Sequence, residues 1–142
     1  MQLIGFNFTK VSATRESNIE KFSMNTNIEF LDLEKEKVTL LKDNEAIKLT
    51  FHFSVVYTSL EEKEKKQGEI ILDGHIVLAV SDEEEKELSK SWKKKQIPPN
   101  IQIPLYNLIL KKCSPKAIYL ADELSLHSPV PLPKITSTKK DN

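Results

Sequence analysis

The sequence predicts an α+β domain, a four-stranded antiparallel sheet of meander or Greek-key-like form followed by two to three helices. Three observations carry that expectation. Two stretches in the first 80 residues alternate apolar and polar side chains with a period of two, as strands with one buried face do. From Ser81 onward the spacing and punctuation become helical. All seven prolines (98, 99, 104, 115, 129, 131 and 133) lie beyond residue 97, so composition shifts where strands give way to helices. No linker divides the 142 residues, and the expected organisation is one domain over 1–135 with a polar, disordered tail over 136–142.

The first strand is expected over Leu3 to Lys10, with Ile4, Phe6 and Phe8 on one face. The second runs from Phe22 to Leu33 with Met24, Ile28 and Phe30 in phase, and Val38 to Leu41 either extends it or forms an edge. The third is the clearest. Ile47, Leu49, Phe51, Phe53, Val55 and Tyr57 alternate with Lys48, Thr50, His52, Ser54, Val56 and Thr58. The fourth, over 69–80, places Ile70, Leu72, Gly74, Ile76, Leu78 and Val80 on one face. The charged run from Leu60 to Gly68 between them reads as a hairpin loop, which makes these two strands antiparallel neighbours.

A helix over 81–96 follows. Ser81 caps it and Glu84 stands at the capping-box spacing, while acidic Asp82 to Glu85 and basic Lys93 to Lys95 match the two ends of the helix dipole. Only Leu88 and Trp92 form an apolar stripe, so it lies on the surface with a narrow foot in the core. A second, largely buried helix is expected from Pro104 to about Cys113. Ser114-Pro115 reads as the cap and first residue of a third, which carries Ala117, Ile118, Leu120, Ala121 and Leu124. Ser128 to Ile135, rich in proline, is extended.

Composition narrows the function. The 21 basic and 21 acidic residues cancel, which disfavours nucleic acid and anionic membrane as partners and leaves self-association open. One cysteine, Cys113, closes no internal disulfide and fits a reducing compartment. The N-terminal residues show no basic leader before an apolar run, and no apolar stretch reaches the ~20 residues of a spanning helix. The expectation is a soluble, cytoplasmic chain. There is no glycine-rich phosphate loop, no G-x-S-x-G elbow and no H-E-x-x-H, so no catalytic residue, no cofactor and no enzyme activity are expected.

Three candidate sites stand out in the sequence. A hairpin loop centred between Lys63 and Glu64 pairs His52 with His75 and sets Asp73 diagonally beside them, a trio of metal-ligand types. Without a fourth ligand, two solvent-facing histidines on a half-exposed sheet is the simpler reading. Trp92 beside Lys93 to Lys95 resembles a stacking platform with phosphate contacts, but the helix dipole already accounts for the lysines. Cys113 in an apolar helix is a packing residue. What remains is apolar surface: Val56, Ile71, Val77 and Ala79 interrupt the nominally polar sheet face, so a subunit, the helices or a client peptide is expected to cover part of it.

The order of elements, with the apolar helix from Pro104 to Ser114 and the closing stretch from Leu126 to Ile135, resembles the bacterial export chaperone SecB and its wider family. In that family a proline-tyrosine helix follows the fourth strand and a proline-rich extended segment follows the helix. Pro104-Leu105-Tyr106 and Val130-Pro131-Leu132-Pro133 match those places. The charged helix over 81–96 departs from the pattern, and the acidic surface through which the export chaperone engages its translocase is absent from this neutral chain. The resemblance implies a homo-oligomer, often a tetramer, that binds unfolded or extended polypeptide in apolar grooves without ATP. On that reading Val56, Ile71, Val77, Tyr106 and Leu110 form the groove or interface. The alternative is a structural or adaptor subunit whose apolar sheet face meets one fixed protein partner.

Overall fold

Period-two alternation produces four long strands here, and the N-terminal ones run further than their weak pattern announced. In the computed structural model, which describes residues 1–36, 45–62 and 64–137, the strands are β1 (Gln2–Arg15), β2 (Phe22–Glu36), β3 (Glu45–Ser59) and β4 (Lys66–Val80). The further strand expected at Val38 to Leu41 lies outside the described residues. The sheet is antiparallel throughout, in the order β1-β4-β3-β2. Strands β2, β3 and β4 form a meander, and β1 returns beside β4, the Greek-key arrangement. Residues 16–21 cross the end of the sheet to make this possible, tied down where Glu16 N–H donates to Gln67 O at 2.8 Å and Leu60 N–H to Lys21 O at 2.9 Å.

Register departs from the expected centre of the hairpin. The Ser59 hydroxyl accepts from the N–H groups of Glu61 and Glu62 at 3.1 and 3.0 Å, and Ser59 N–H donates to Lys65 O at 2.9 Å. That serine-capped turn closes the loop early and starts β4 at Lys66. His52 therefore faces Asp73, and His75 faces Thr50. The slip is two residues, so every side chain keeps its face.

The inner face of the sheet carries the core. Ile47, Leu49, Phe51, Val55, Ile70, Leu72 and Ile76 on the two central strands are fully buried. Two helices cover them. Helix α1 (Asp82–Trp92) opens with the expected capping box at Ser81 and Glu84 and buries Leu88. It ends at Trp92, before the lysine run, and Lys95 then turns the chain with a left-handed φ of 57°. Lys35 on β2 reaches Glu85 on α1 at 3.0 Å, and Ser89 donates a second bond at 2.8 Å. Those two donors hold the Glu85 carboxyl below its ordinary pKa.

Helix α2 (Pro99–Glu123) is the main correction to the sequence reading: it is continuous, with Pro104 and Pro115 inside it, where two helices broken at Ser114 were expected. The reason is a stripe. Ile101, Leu105, Ile109, Cys113, Ala117 and Ala121 are all buried at a constant spacing of four, spanning the supposed break. Burial along one uninterrupted stripe outweighs the hydrogen bond Pro115 cannot make. The stripe narrows from Ile and Leu to Cys and Ala, so the second half of the helix can approach the sheet closely. Its remaining apolar residues are less covered than expected, with Ile103 66% and Leu110 38% exposed. No helix among the described residues is long and apolar enough to cross a membrane.

Candidate functional site

The five residues expected at an apolar groove or interface lie on two surfaces. Val56, Ile71 and Val77 are on the outer face of the sheet, away from the helices, and are half-buried. Val56 sits between Asn25 and Glu69, Ile71 between Ser54 and Ser12, and Val77 between Lys48 and Gly5. Polar or glycine neighbours thus separate each from a continuous apolar patch. Tyr106 and Leu110 are on the helical side.

On that side the two helices cover the central strands and leave the edge strands short of cover. Phe22, Met24, Ile28, Phe30 and Leu33 on β2 point inward yet are only half-buried, although their β3 partners are buried. Tyr106 stacks on Phe30 with ring centroids 5.7 Å apart, and Gln102 donates to the Tyr106 hydroxyl at 3.0 Å. Trp92 stands across from them with the Lys95 ammonium 5.0 Å from its ring centre. Ile28, Phe30, Trp92, Ile97 and Tyr106, with Glu29 and Gln102 at the rim, line an open cleft of about 550 Å³. Farther along β2, Thr26, Phe53, Leu110, Ser114 and Ala117 line a second hollow of about 220 Å³, which Pro129 and Val130 complete. The two hollows lie in line, forming a groove between β2 and α2.

Such a groove has the chemistry of apolar side-chain recognition. Its aromatic walls offer large contact area at low entropic cost, and its polar rim leaves orientation loose. Phe30 and Ile28 were not among the expected site residues, and Trp92 was a candidate only as a stacking platform beside the lysines. The signal was available, since β2 shows an in-phase apolar face and α1 offers only Leu88 and Trp92 to cover it. What could not be read was which strand would stand at the edge.

The other candidates resolve differently. His52 Nδ1 lies 2.5 Å from Asp73 Oδ1, and His75 Nδ1 lies 3.1 Å from Thr50 Oγ1, so each histidine has its own partner across the β3–β4 pair. Among the described residues no three His, Cys, Asp or Glu side chains converge as metal ligands. Cys113 is fully buried under α2, and burial pushes its thiol up to about 12. Tyr57, buried on β3, is likewise pushed up to about 12, and its hydroxyl donates to the His127 carbonyl.

Those two shifts predict an alkaline weakness. From the ordinary values of 9.0 and 10.0 up to about 12, the unfolded chain releases these protons while the folded chain keeps them, so stability falls as pH rises through that window. Denaturant midpoints measured between pH 8 and 12 are expected to fall, and less steeply in Tyr57→Phe. In the native protein at pH 8, Cys113 is expected to react with a thiol reagent at least a hundredfold slower than in denaturant. Fast native labelling would show that the thiol is not held under the helix.

No protein-family model and no curated protein matches the chain. Among solved structures, a SecB-like chaperone from Mycobacterium tuberculosis, in complex with a ChAD peptide from the HigA1 antitoxin, superposes with a TM-score of 0.52 at 12% identity. The match covers 96% of this chain and 91% of that one. Agreement over nearly the whole of both chains at so low an identity is agreement of fold, and this chain has a SecB-like α+β fold.

Proposed function

We propose that this chain binds unfolded or extended segments of other polypeptides without ATP, as a holdase chaperone. The observation that carries the reading is the groove between β2 and α2, where an edge strand's apolar inner face is left half-covered beside Tyr106, Trp92 and Leu110. An unfolded chain offers scattered apolar side chains, and an open aromatic groove accepts these without demanding one sequence. The SecB-like neighbour, itself solved with a peptide bound, supports the same use of the fold. The reading is non-enzymatic and needs no cofactor. Assembly into a homo-oligomer, which would align grooves from several copies, belongs to it. An adaptor that meets one fixed partner through the outer sheet face is less favoured, because Val56, Ile71 and Val77 are interleaved with polar neighbours.

The test is suppression of aggregation of two unrelated, chemically unfolded proteins, without ATP, with the mass of the free protein measured by light scattering. Suppression at or below equimolar ratio is expected. Tyr106→Asp and Leu110→Asp are each expected to raise the amount needed at least fivefold, whereas Val77→Thr on the outer face leaves it unchanged. If the native protein protects neither client, the holdase reading fails. If Val77→Thr alone abolishes protection, the outer face is the site.

A further inference from the structure

The far end of the groove is walled on one side by the chain's own C-terminal segment. Helix α2 ends in a Schellman motif: Leu126 N–H donates to Ala121 O at 2.8 Å and Ser125 N–H to Asp122 O at 3.2 Å. Ser125 stands at the left-handed position of that motif with φ 53°, where glycine is the unstrained choice. The reversal sends residues 126–130 back over the sheet. Leu126 is buried above Gly68, where a Cβ would lie 2.8 Å from Leu126 Cδ2. The Tyr57 hydroxyl donates to the His127 carbonyl, and the His127 ring lies 5.8 Å from that of Phe22. The Ser128 hydroxyl donates to Val130 O at 2.6 Å, and Pro129 and Val130 then form one wall of the hollow lined by Phe53, Thr26 and Leu110. Beyond them residues 131–137 are exposed, and Leu132, 56% exposed, stays beside Ile118 and Tyr119 of α2.

Three of these contacts are ones that a foreign extended peptide could make: an aliphatic side chain in a notch, a backbone carbonyl on a hydroxyl, and a proline–aliphatic pair against an apolar hollow. None of residues 126–130 belongs to a strand, so no ladder of backbone bonds secures them. We infer that residues 126–130 are a built-in competitor for the client groove, a strap whose release opens the hollow at Phe22, Phe53 and Leu110. The groove's preferred client is then an extended segment with an aliphatic residue and, three positions on, a proline–aliphatic pair, as in Leu126-His-Ser-Pro-Val130. This inference rests on the holdase reading.

The experiment uses the full chain and a labelled synthetic peptide with the sequence of residues 124–135, read by fluorescence anisotropy beside the aggregation assay. Val130→Asp places a charge in the hollow while leaving Leu126 seated, and Tyr57→Phe removes only the hydroxyl that holds His127. Both are expected to bind the peptide more tightly than the native chain, Val130→Asp by about tenfold, and to protect clients at lower ratios. Ser125→Gly, which relaxes the closed turn, is expected to act in the opposite direction by severalfold. Circular dichroism confirms folding of each variant, and Tyr57→Phe carries the test should Val130→Asp unfold. Equal peptide affinity in native chain and folded variants, with clients still protected, overturns the strap and leaves the holdase standing. Tighter peptide binding with no client protected in any form overturns both, since the groove then serves only its own segment.

Discussion

Gly74→Ala is expected to destabilise the fold by about 3 kcal/mol, roughly 10 °C in Tm for a chain of this size. Gly74 lies on the inner face of β4, between Phe8 on β1 and Phe51 on β3. The Phe51 ring leans across it to stack on Phe6, with centroids 5.4 Å apart. A Cβ at position 74 would sit 2.9 Å from Phe51 Cζ and well inside contact with the Asn7 carbonyl oxygen. The ring could rotate away, but the Asn7 oxygen belongs to the β1 backbone beside it, so relief requires β1 to move. Gly5→Ala provides the contrast, because a Cβ there meets only the Val77 side chain, at 3.4 and 3.6 Å, ordinary contacts. Its expected effect is within about 1 kcal/mol, with the lower entropy of the unfolded alanine chain acting in its favour. Thermal unfolding of both variants decides the matter. Equal and small effects would show that β1 is not held against β4 at Gly74.

Pro115→Ala is expected to act the other way, stabilising the protein by about 2 kcal/mol. A proline inside a helix costs about 3 kcal/mol against alanine, and about 1 kcal/mol of that is returned by the greater freedom of the unfolded alanine chain. Pro115 is exposed, so nothing in the core depends on its ring, and the buried stripe on either side (Cys113 and Ala117) already holds the helix together. Urea midpoints compared at constant slope measure the change. A loss of stability would mean that α2 needs a break at that point, which is the two-helix arrangement expected from Ser114-Pro115 alone.

That helix shows where local signals stop. Ser-Pro at a helix start and Ser-Pro inside a helix are the same dipeptide. Only the burial of Ile109, Cys113 and Ala117 along one line distinguishes them, and burial depends on the sheet beneath. The hairpin tells a similar story. The faces of β3 and β4 were legible because alternation is a local property of the backbone. Their register was not, because it turned on one hydroxyl, Ser59, capping the turn early and placing His52 against Asp73 in place of His75.

The candidate site divides along the same line. Sequence pattern by itself determined that this chain folds as strands followed by helices, that Ile47 to Tyr57 and Ile70 to Val80 face a core, that Ser81 starts a helix, and that Tyr106 and Leu110 belong to an apolar helix. Periodicity and capping act over a few residues, so a few residues suffice to read them. Only the tertiary structure decided that β2 stands at the edge with its apolar face half-covered, that Val56, Ile71 and Val77 lie on the opposite side from Tyr106, and that the proline-rich segment folds back onto Tyr57 and Phe53. Each of those depends on strand order and on how much sheet two helices can cover. Both are set by competition among all the elements for the same buried area, and no local stretch of sequence records its outcome.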